Sequence, residues 1–131
     1  MFRRFCLVSL CFAFGAPGTA SAADHDMTFF VRIHPARANF LSTMTPAESK
    51  AMELHVAYWK ARMAEHKLIL AGPVPISPGT FGILIIRART LGDAEQLVRD
   101  DPSVVAHVTD YEIYPLRLAL YEGDDSTAAS P

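Results

Sequence analysis

The order in which strand-like and helix-like segments follow one another limits the fold of this chain more than any other feature. Four short runs are rich in β-branched and aromatic residues, a composition typical of β-strands; they are residues 27–34, 68–74, 80–89 and 108–120. A long segment of helical period separates the first run from the second, and a shorter one separates the third run from the fourth. The predicted order is therefore strand, helix, strand, strand, helix, strand.

The start of the first helix is marked by the sequence Thr45-Pro46-Ala47-Glu48. Threonine is a preferred N-cap, proline is favoured in the first turn, and a glutamate three residues after the cap can close a capping box. We predict that this helix continues to about His66 and that the residues between the first strand and the cap form a loop.

The start of the second helix is marked by Thr90 and Asp93, which have the same spacing as the first capping pair. The dipeptide Asp101-Pro102 then breaks this helix, because proline lacks a backbone N–H and clashes with the preceding turn. Residues 103–107 favour one further helical turn.

This order is that of a split βαβ, or ferredoxin-like, α+β fold, in which an antiparallel sheet carries both helices on one face. The strands contain more apolar residues than one covered face needs, among them Phe29, Val31, Leu84, Ile86 and Ile113. We expect the open face of the sheet to pack against a second copy of the chain, which would give a homodimer.

The N-terminal residues have the three-part pattern of a secretory signal peptide. Arg3 and Arg4 precede an apolar run, and a Gly/Pro break then leads to an A-x-A cleavage site at 20–22. We predict cleavage after Ala22 and a periplasmic or secreted protein without membrane contact after cleavage. An uncleaved anchor is the alternative. A lipoprotein signal at Cys11 is disfavoured, because the residue directly before that cysteine, Leu10, is not small and the apolar run continues past it.

The rest of the chain is predicted to form one domain with short unstructured ends. We assign residues 23–27 to a flexible start, 28–121 to the folded domain, and 122–131, which are small and polar, to a disordered tail.

Cysteine usage and net charge exclude two classes of function for the mature chain. Both cysteines, Cys6 and Cys11, precede the predicted cleavage site, so no disulfide or thiolate chemistry is expected. Loss of the signal peptide leaves 10 of the 12 basic residues against 14 acidic ones, a net charge of −4. This balance argues against nucleic-acid binding, which requires clustered basic charge.

A histidine lies within the apolar arc of the first helix. At about 100° per residue, His55 falls near the middle of an arc that contains Leu54, Tyr58, Ala51, Trp59, Met52, Met63 and Val56. A buried imidazole needs hydrogen-bond partners, because an unpaired polar group in an apolar setting costs about 1–3 kcal/mol. His55 is therefore either a core histidine bonded to a backbone carbonyl or the centre of a site.

Five short motifs follow one another at spacings that point to a known family. They are H-x-x-Y-W at 55–59, A-G-P at 71–73, a glycine at 82, D-P at 101–102 and Y-E-I-Y-P at 111–115. Taken together, the chain resembles the YCII (YciI-like) family over residues 28–118.

The resemblance implies a dimeric α/β barrel of ferredoxin-like protomers with a histidine–aspartate site in a cleft between sheet and helix and no cofactor. Carried over by motif, the two residues are His55 and Asp101. Relatives include a dehydrochlorinase of a chlorinated hydroxyquinol. His107 stands where the family usually has glycine, and we expect it to narrow the cleft mouth or change its charge.

A buried histidine with an aspartate partner can transfer protons. If Asp101 binds one ring nitrogen of His55, it fixes the tautomer, aims the other nitrogen at the cleft and supports the imidazolium that forms. Elimination, isomerisation and lactone chemistry all begin with such a proton abstraction. Asp101 could instead be a turn residue before proline, and Asp100 is an exposed competitor for its role.

Further residues are candidates for binding a small-molecule substrate. Arg32 and His34 lie on the same side of the first strand by its period of two, and either could reach the cleft; Arg32 could equally be solvated. Tyr58 could stack on an aromatic ring or belong to the core. Gly72 and Pro73 are predicted to shape a turn at the cleft rim.

The sequence predicts no metal site, because none of the five histidines has a tight ligand spacing such as H-E-x-x-H. The leading hypothesis is a proton-transfer enzyme for a small cyclic or aromatic compound. The alternatives are a non-catalytic module of the same fold, which binds a small ligand or another protein, and an oxygenase without cofactor.

Overall fold

The computed structural model describes residues 26–121. The predicted signal peptide, the start of the mature chain up to residue 25 and the predicted tail lie outside the described residues. The described elements are β1 (Met27–Pro35), a 3-10 helix (Phe40–Ser42), α1 (Pro46–Ala64), β2 (Leu68–Val74), β3 (Phe81–Ala88), α2 (Leu91–Arg99), α3 (Pro102–Val105) and β4 (Thr109–Leu116). The predicted order of strands and helices is confirmed.

The four strands form one antiparallel sheet in the order β2-β3-β1-β4. The first and third strands are central, and the second and fourth lie at the edges, as in a ferredoxin-like fold. The fold is thus α+β, with both βαβ connections crossing the same face, and it is the protomer fold of the dimeric α/β-barrel proteins.

The structure differs from the predicted elements most clearly at the end of β4 and in the segment between β1 and α1. β4 ends at Leu116 rather than at residue 120, because Leu116 pairs with Thr28 near the beginning of β1 and that strand extends only one residue further. The 3-10 helix at 40–42 was predicted as loop; its Phe40 is buried with Ala51 and Val108 in a small second core.

The main core lies between the sheet and the helices. Phe29, Val31 and Ile86 are completely buried, and Ala94 and Val98 of α2 pack on the same cluster. Full burial of one such large apolar side chain stabilises the fold by about 1.5–3 kcal/mol. Alternate residues of the central strands therefore hold the helices against one face.

The opposite face of the sheet also carries apolar side chains. Phe30 pairs with Ile85 on one side and with Tyr114 on the other, and directly paired residues share a face. The rings of Phe30 and Tyr114 are stacked with their centroids 6.3 Å apart, although Tyr114 is 51% exposed. We call this surface the open face.

Fewer residues of the apolar arc of α1 are buried than the sequence pattern suggests. Only Ala51 and Trp59 are buried, whereas Leu54, Val56 and Met63 are close to half exposed. Helical period finds an apolar stripe but does not show what covers it. Part of this stripe faces a cavity, described below, instead of packed side chains.

No helix in the described part of the chain is both long and apolar enough to serve as a membrane span.

Candidate active site

His55 and Asp101 meet in the folded chain although 46 residues separate them. His55 lies in the middle of α1, and Asp101 is the N-cap of α3. The Nδ1 atom of His55 is 2.6 Å from Oδ2 of Asp101. The side chain of Asp101 is fully buried, whereas that of His55 is 17% exposed.

Each oxygen of the Asp101 carboxylate has two donors. Oδ1 accepts from the backbone N–H of Ser103 and from its hydroxyl, both at 2.9 Å. Oδ2 accepts from Trp59 Nε1 at 2.7 Å and from His55. Asp101 is thus both the turn residue before Pro102 and the partner of the histidine, because different oxygens perform the two roles.

The surroundings of Asp101 keep its carboxylate ionised. Burial by itself would raise the pKa of Asp101, but the hydrogen bond and charge of His55 oppose it. The donors of Ser103 and Trp59 act in the same direction as His55, and the net result is a pKa below the ordinary carboxyl value. A buried carboxylate with four donors is a fully satisfied anion.

An ionised carboxylate only accepts hydrogen bonds, so the Nδ1 atom of His55 carries a proton. The remaining ring nitrogen, Nε2, has no hydrogen-bond partner among residues 26–121. In the neutral ring, that nitrogen has a free lone pair. The arrangement is chemically that of a general base held by its other nitrogen.

A hydroxyl pair extends this cluster to the edge of the sheet. The hydroxyl of Ser103, which is fully buried, lies 2.8 Å from that of Thr109 at the start of β4 and 3.3 Å from His55 Nδ1. The sequence did not lead us to predict that Trp59 and Ser103 donate hydrogen bonds to Asp101. Two spacings could have suggested them: Trp59 follows His55 by four residues on one helix face, and Ser103 follows Asp101 by two, as in an Asx turn.

The ring of His55 borders a cavity of about 460 Å³ between α1 and the sheet. Its walls are mainly apolar and come from α1 (Met52, Val56, Trp59, Met63), the 3-10 helix (Phe40, Leu41) and the sheet (Ile33, Leu68, Ala71, Leu84). This volume is within the range of small-molecule sites. Gly82 belongs to the lining, and a Cβ added there would meet its nearest neighbour, Ile33, at an ordinary 3.8 Å.

Arg32 does not border this cavity. Its side chain points to the open face, where its Nη1 donates to Glu112 at 3.0 Å and its guanidinium lies over the ring of Phe81. His34, two residues on, reaches the rim of the cavity and also borders a second hollow of about 730 Å³, which Arg32 shares. The predicted approach of Arg32 to the cleft is therefore wrong, because the Arg32 side chain lies on the open face whereas Ile33 lines the cavity.

Tyr58 lies between α1 and α2 instead of lining the cavity. Its hydroxyl donates to the backbone oxygen of Leu97 at 2.8 Å, and its ring packs edge-on against Trp59. Burial raises the pKa of Tyr58. Of the two roles that the sequence left open for Tyr58, the structure therefore supports packing on the core and not stacking on a ligand in the cavity.

Gly72 and Pro73 border the cavity, but they lie inside β2 and do not form a turn. Proline is compatible with this position because β2 is an edge strand. The expectation that Gly72 permits a close backbone approach is wrong, since a Cβ added there would meet nothing within 4 Å.

His107 is exposed and lies outside the lining of both cavities. It follows the C-cap of α3 with φ 55°, in the left-handed region that glycine adopts most readily. The expected effect on the cleft mouth is therefore wrong; the position is defined by backbone conformation. His66, which follows the C-cap of α1 at φ 59°, is a second histidine of this kind.

Within residues 26–121, no cluster of three or more histidine, cysteine, aspartate or glutamate side chains is arranged to hold a metal ion.

Solved structures with similar backbones were found. The chain has a TM-score of 0.54 and 18% identity to the 5-chloro-2-hydroxyhydroquinone dehydrochlorinase TftG of Burkholderia phenoliruptrix, solved with 2,5-dihydroxybenzoquinone; 68% of this chain and 93% of that one are covered. SnoaB of Streptomyces nogalater, a cofactor-independent oxygenase, has 14% identity and a TM-score of 0.38, with 74% and 98% covered. At such identities the likeness concerns the fold alone.

Comparison with curated proteins gives no significant match. The family model described as YCII-related domain matches residues 28–117, which is nearly the whole described domain. The chain belongs to the YCII-related domain family.

Proposed function

We propose that this protein is a cofactor-independent proton-transfer enzyme that acts on a small cyclic or aromatic compound. The observation that carries the proposal is the hydrogen bond from His55 to the buried Asp101, on a ring that borders the cavity and whose Nε2 atom has no partner among the described residues. Geometry of this kind orients a base before substrate arrives, so little reorganisation is required during the reaction.

In the proposed reaction, Nε2 of His55 removes a proton from a phenol or from a carbon next to a carbonyl group. The imidazolium that forms is stabilised by the Asp101 carboxylate beside Nδ1. In an elimination, the electron pair of the broken C–H bond forms the new double bond, and the leaving group departs with its own pair. In an isomerisation, the imidazolium returns the proton to another atom of the same substrate.

The choice of a ring compound rests on the shape and chemistry of the cavity. Its apolar walls suit a flat, weakly polar molecule, and Thr80 and Thr109 add hydroxyls to the lining. TftG is named as a dehydrochlorinase of a chlorinated hydroxyhydroquinone and has a dihydroxybenzoquinone bound. We extend that class of compound to this chain as a proposal.

The direct test is turnover of 5-chloro-2-hydroxyhydroquinone, measured by chloride release, in wild type, His55→Ala and Asp101→Asn. We expect His55→Ala to lower kcat/KM by about 10²–10⁴-fold and Asp101→Asn to lower it by at least about tenfold. Leu54→Ala is the matched control, because Leu54 is exposed on the same helix outside the cavity. Equal turnover in wild type and His55→Ala would contradict the proposal.

A binding module without catalysis is the second candidate, because an apolar cavity can hold a ligand whether or not its histidine transfers protons. The variant Gly82→Val separates the two, since its side chain would occupy part of the cavity, and neither His55 nor Asp101 is among the nearest neighbours of an added Cβ. Ligand-induced thermal stabilisation that Gly82→Val removes but His55→Ala retains, without turnover by wild type, would favour the binding module.

We further propose that the protein forms a homodimer through the open face. Phe30, Ile83 and Leu70 are among its apolar residues, and Leu70 is 43% exposed. Sedimentation equilibrium of wild type and Leu70→Glu measures the association; a monomeric wild type would overturn this proposal.

Export through the signal peptide is also a proposal. It predicts that the mature chain isolated from the periplasm or the medium begins at Ala23, which N-terminal mass spectrometry measures. Retention of residues 1–22 on the isolated protein would contradict it.

A further inference from the structure

We propose that Lys60 is the specificity residue of the cavity and that it selects ring compounds carrying an anionic group at the cavity mouth. The ligand class deepens the function proposed above and rests on it for the statement that the cavity is a substrate site.

Lys60 and His55 lie on opposite flanks of the helix surface that lines the cavity. The centre of that surface is formed by Met52, Trp59 and Met63. At 100° per residue, His55 and Lys60 lie about 70° to either side of this centre. The His55 flank is turned toward α3, where Asp101 lies, and the Lys60 flank is exposed to solvent. Lys60 therefore marks the outer end of the cavity.

The rise along the helix fixes the scale of a ligand that reaches both residues. Five residues separate His55 from Lys60, which corresponds to about 7.5 Å along the helix axis. A single six-membered ring with one substituent spans a comparable distance once the flexible lysine side chain is extended toward it. One molecule can thus offer its acidic proton to His55 and an anionic substituent to Lys60.

The ammonium group of Lys60 has no acceptor within residues 26–121, in contrast to the other lysines of that range. Lys50 is paired with Glu53 at 3.1 Å, and Lys67 with Glu65 at 3.0 Å. In the described part of the chain, no aspartate or glutamate lines the cavity. A positive charge without a protein counter-ion, beside otherwise apolar walls, favours an anion over a neutral ligand of the same shape.

A pair of nearly isosteric probes tests this inference. The affinities of 4-hydroxybenzoate and 4-hydroxybenzamide, which differ in charge but little in size, are measured by NMR titration against wild type and Lys60→Met. We expect wild type to prefer the anion and Lys60→Met to lose about three- to fivefold in affinity for the anion alone. Lys60→Arg should retain the preference, and Lys50→Met, which removes a charge elsewhere on α1, should leave it unchanged.

Ionic strength and a catalytic variant distinguish this inference from its alternatives. The preference of wild type should fall between about 0.1 M and about 1 M salt, because the screening length shortens from about 10 Å to about 3 Å. The preference for the anionic probe should persist in His55→Ala. The role of Lys60 can therefore be tested even if the proton-transfer proposal fails. Absence of measurable binding of the anion, equal affinity for both probes, or an unchanged preference in Lys60→Met would overturn the inference.

Discussion

Two histidine–carboxylate pairs occupy different surroundings in this molecule. His55 lies 2.6 Å from Asp101, with 17% of the histidine side chain and none of the aspartate exposed. His34 lies 3.8 Å from Glu112 on the open face, where 31% and 40% of the two side chains are exposed. The residue types differ little, but the burial of the two carboxylates differs greatly.

The comparison shows that burial of the carboxylate, and not the residue types of the pair, fixes the position of the histidine. Glu112 Oε1 is shared between His34 and Arg32 in contact with solvent, where salt and side-chain motion weaken ion pairs. The oxygens of Asp101 accept from four donors and are buried from solvent. The packing that holds Asp101 therefore also fixes the position of His55.

Removal of the two carboxylates should have very different effects on stability. We expect Asp101→Ala to lower the free energy of unfolding by about 3 kcal/mol or more, because four buried donors lose their acceptor. Glu112→Ala should lower it by less than about 1 kcal/mol. Urea denaturation at neutral pH measures both; similar losses for the two variants would contradict the contrast.

The contribution of Asp101 should depend on pH with a defined sign. Its pKa is lowered in the folded state, so the unfolded chain binds a proton more readily as the solution is acidified. The stabilisation is therefore complete above the ordinary carboxyl pKa and is lost as pH falls through the lowered folded value. The difference in unfolding free energy between wild type and Asp101→Asn should shrink over that acidic range. A difference that stays constant from neutral to acidic pH would count against the buried anion.

The hydroxyl of Ser103 should have an intermediate effect. We expect Ser103→Ala to lower the free energy of unfolding by about 1–2 kcal/mol, because Asp101 loses one donor and the buried Thr109 loses its partner. Ser49→Ala, at an exposed position of α1, is the matched control and should be nearly neutral. Thermal unfolding of both variants decides whether the hydroxyl pair stabilises the cluster.

The smallest effect is expected at a histidine outside both pairs. His107→Gly should raise the free energy of unfolding by up to about 1 kcal/mol, because glycine adopts the left-handed conformation without steric cost. His107→Ala should give no such gain, since alanine keeps the Cβ. Equal stability of the glycine and alanine variants would mean that backbone conformation does not govern this position.

Much of the fold could be predicted from the sequence because its signals are local. Thr45 and Glu48 form the predicted capping box, and each strand was placed by its composition within a few residues. At the second helix, the Thr90 hydroxyl accepts from the backbone N–H of Asp93, as expected. The Asp93 carboxylate, however, accepts from that same hydroxyl instead of from the backbone N–H of Thr90.

The candidate site could be predicted only in part, because contacts between distant segments leave little trace in local patterns. The motifs suggested that His55 and Asp101 meet, whereas the donors from Trp59 and Ser103 depend on how α3 docks against α1. Arg32 was wrongly predicted to reach the cleft. Alternation along a strand divides its residues between two faces of the sheet but does not indicate which face the helices cover.

The proposed function depends on Asp101 holding His55 by Nδ1, so that Nε2 is available to a ligand in the cavity. The most direct measurement is the ¹⁵N chemical shifts of the two ring nitrogens of His55 in the neutral imidazole, with His34 as the internal comparison. We expect a proton on Nδ1 of His55 in wild type and loss of this fixed tautomer in Asp101→Asn. A neutral His55 ring protonated on Nε2, or a tautomer indifferent to Asp101→Asn, would contradict it.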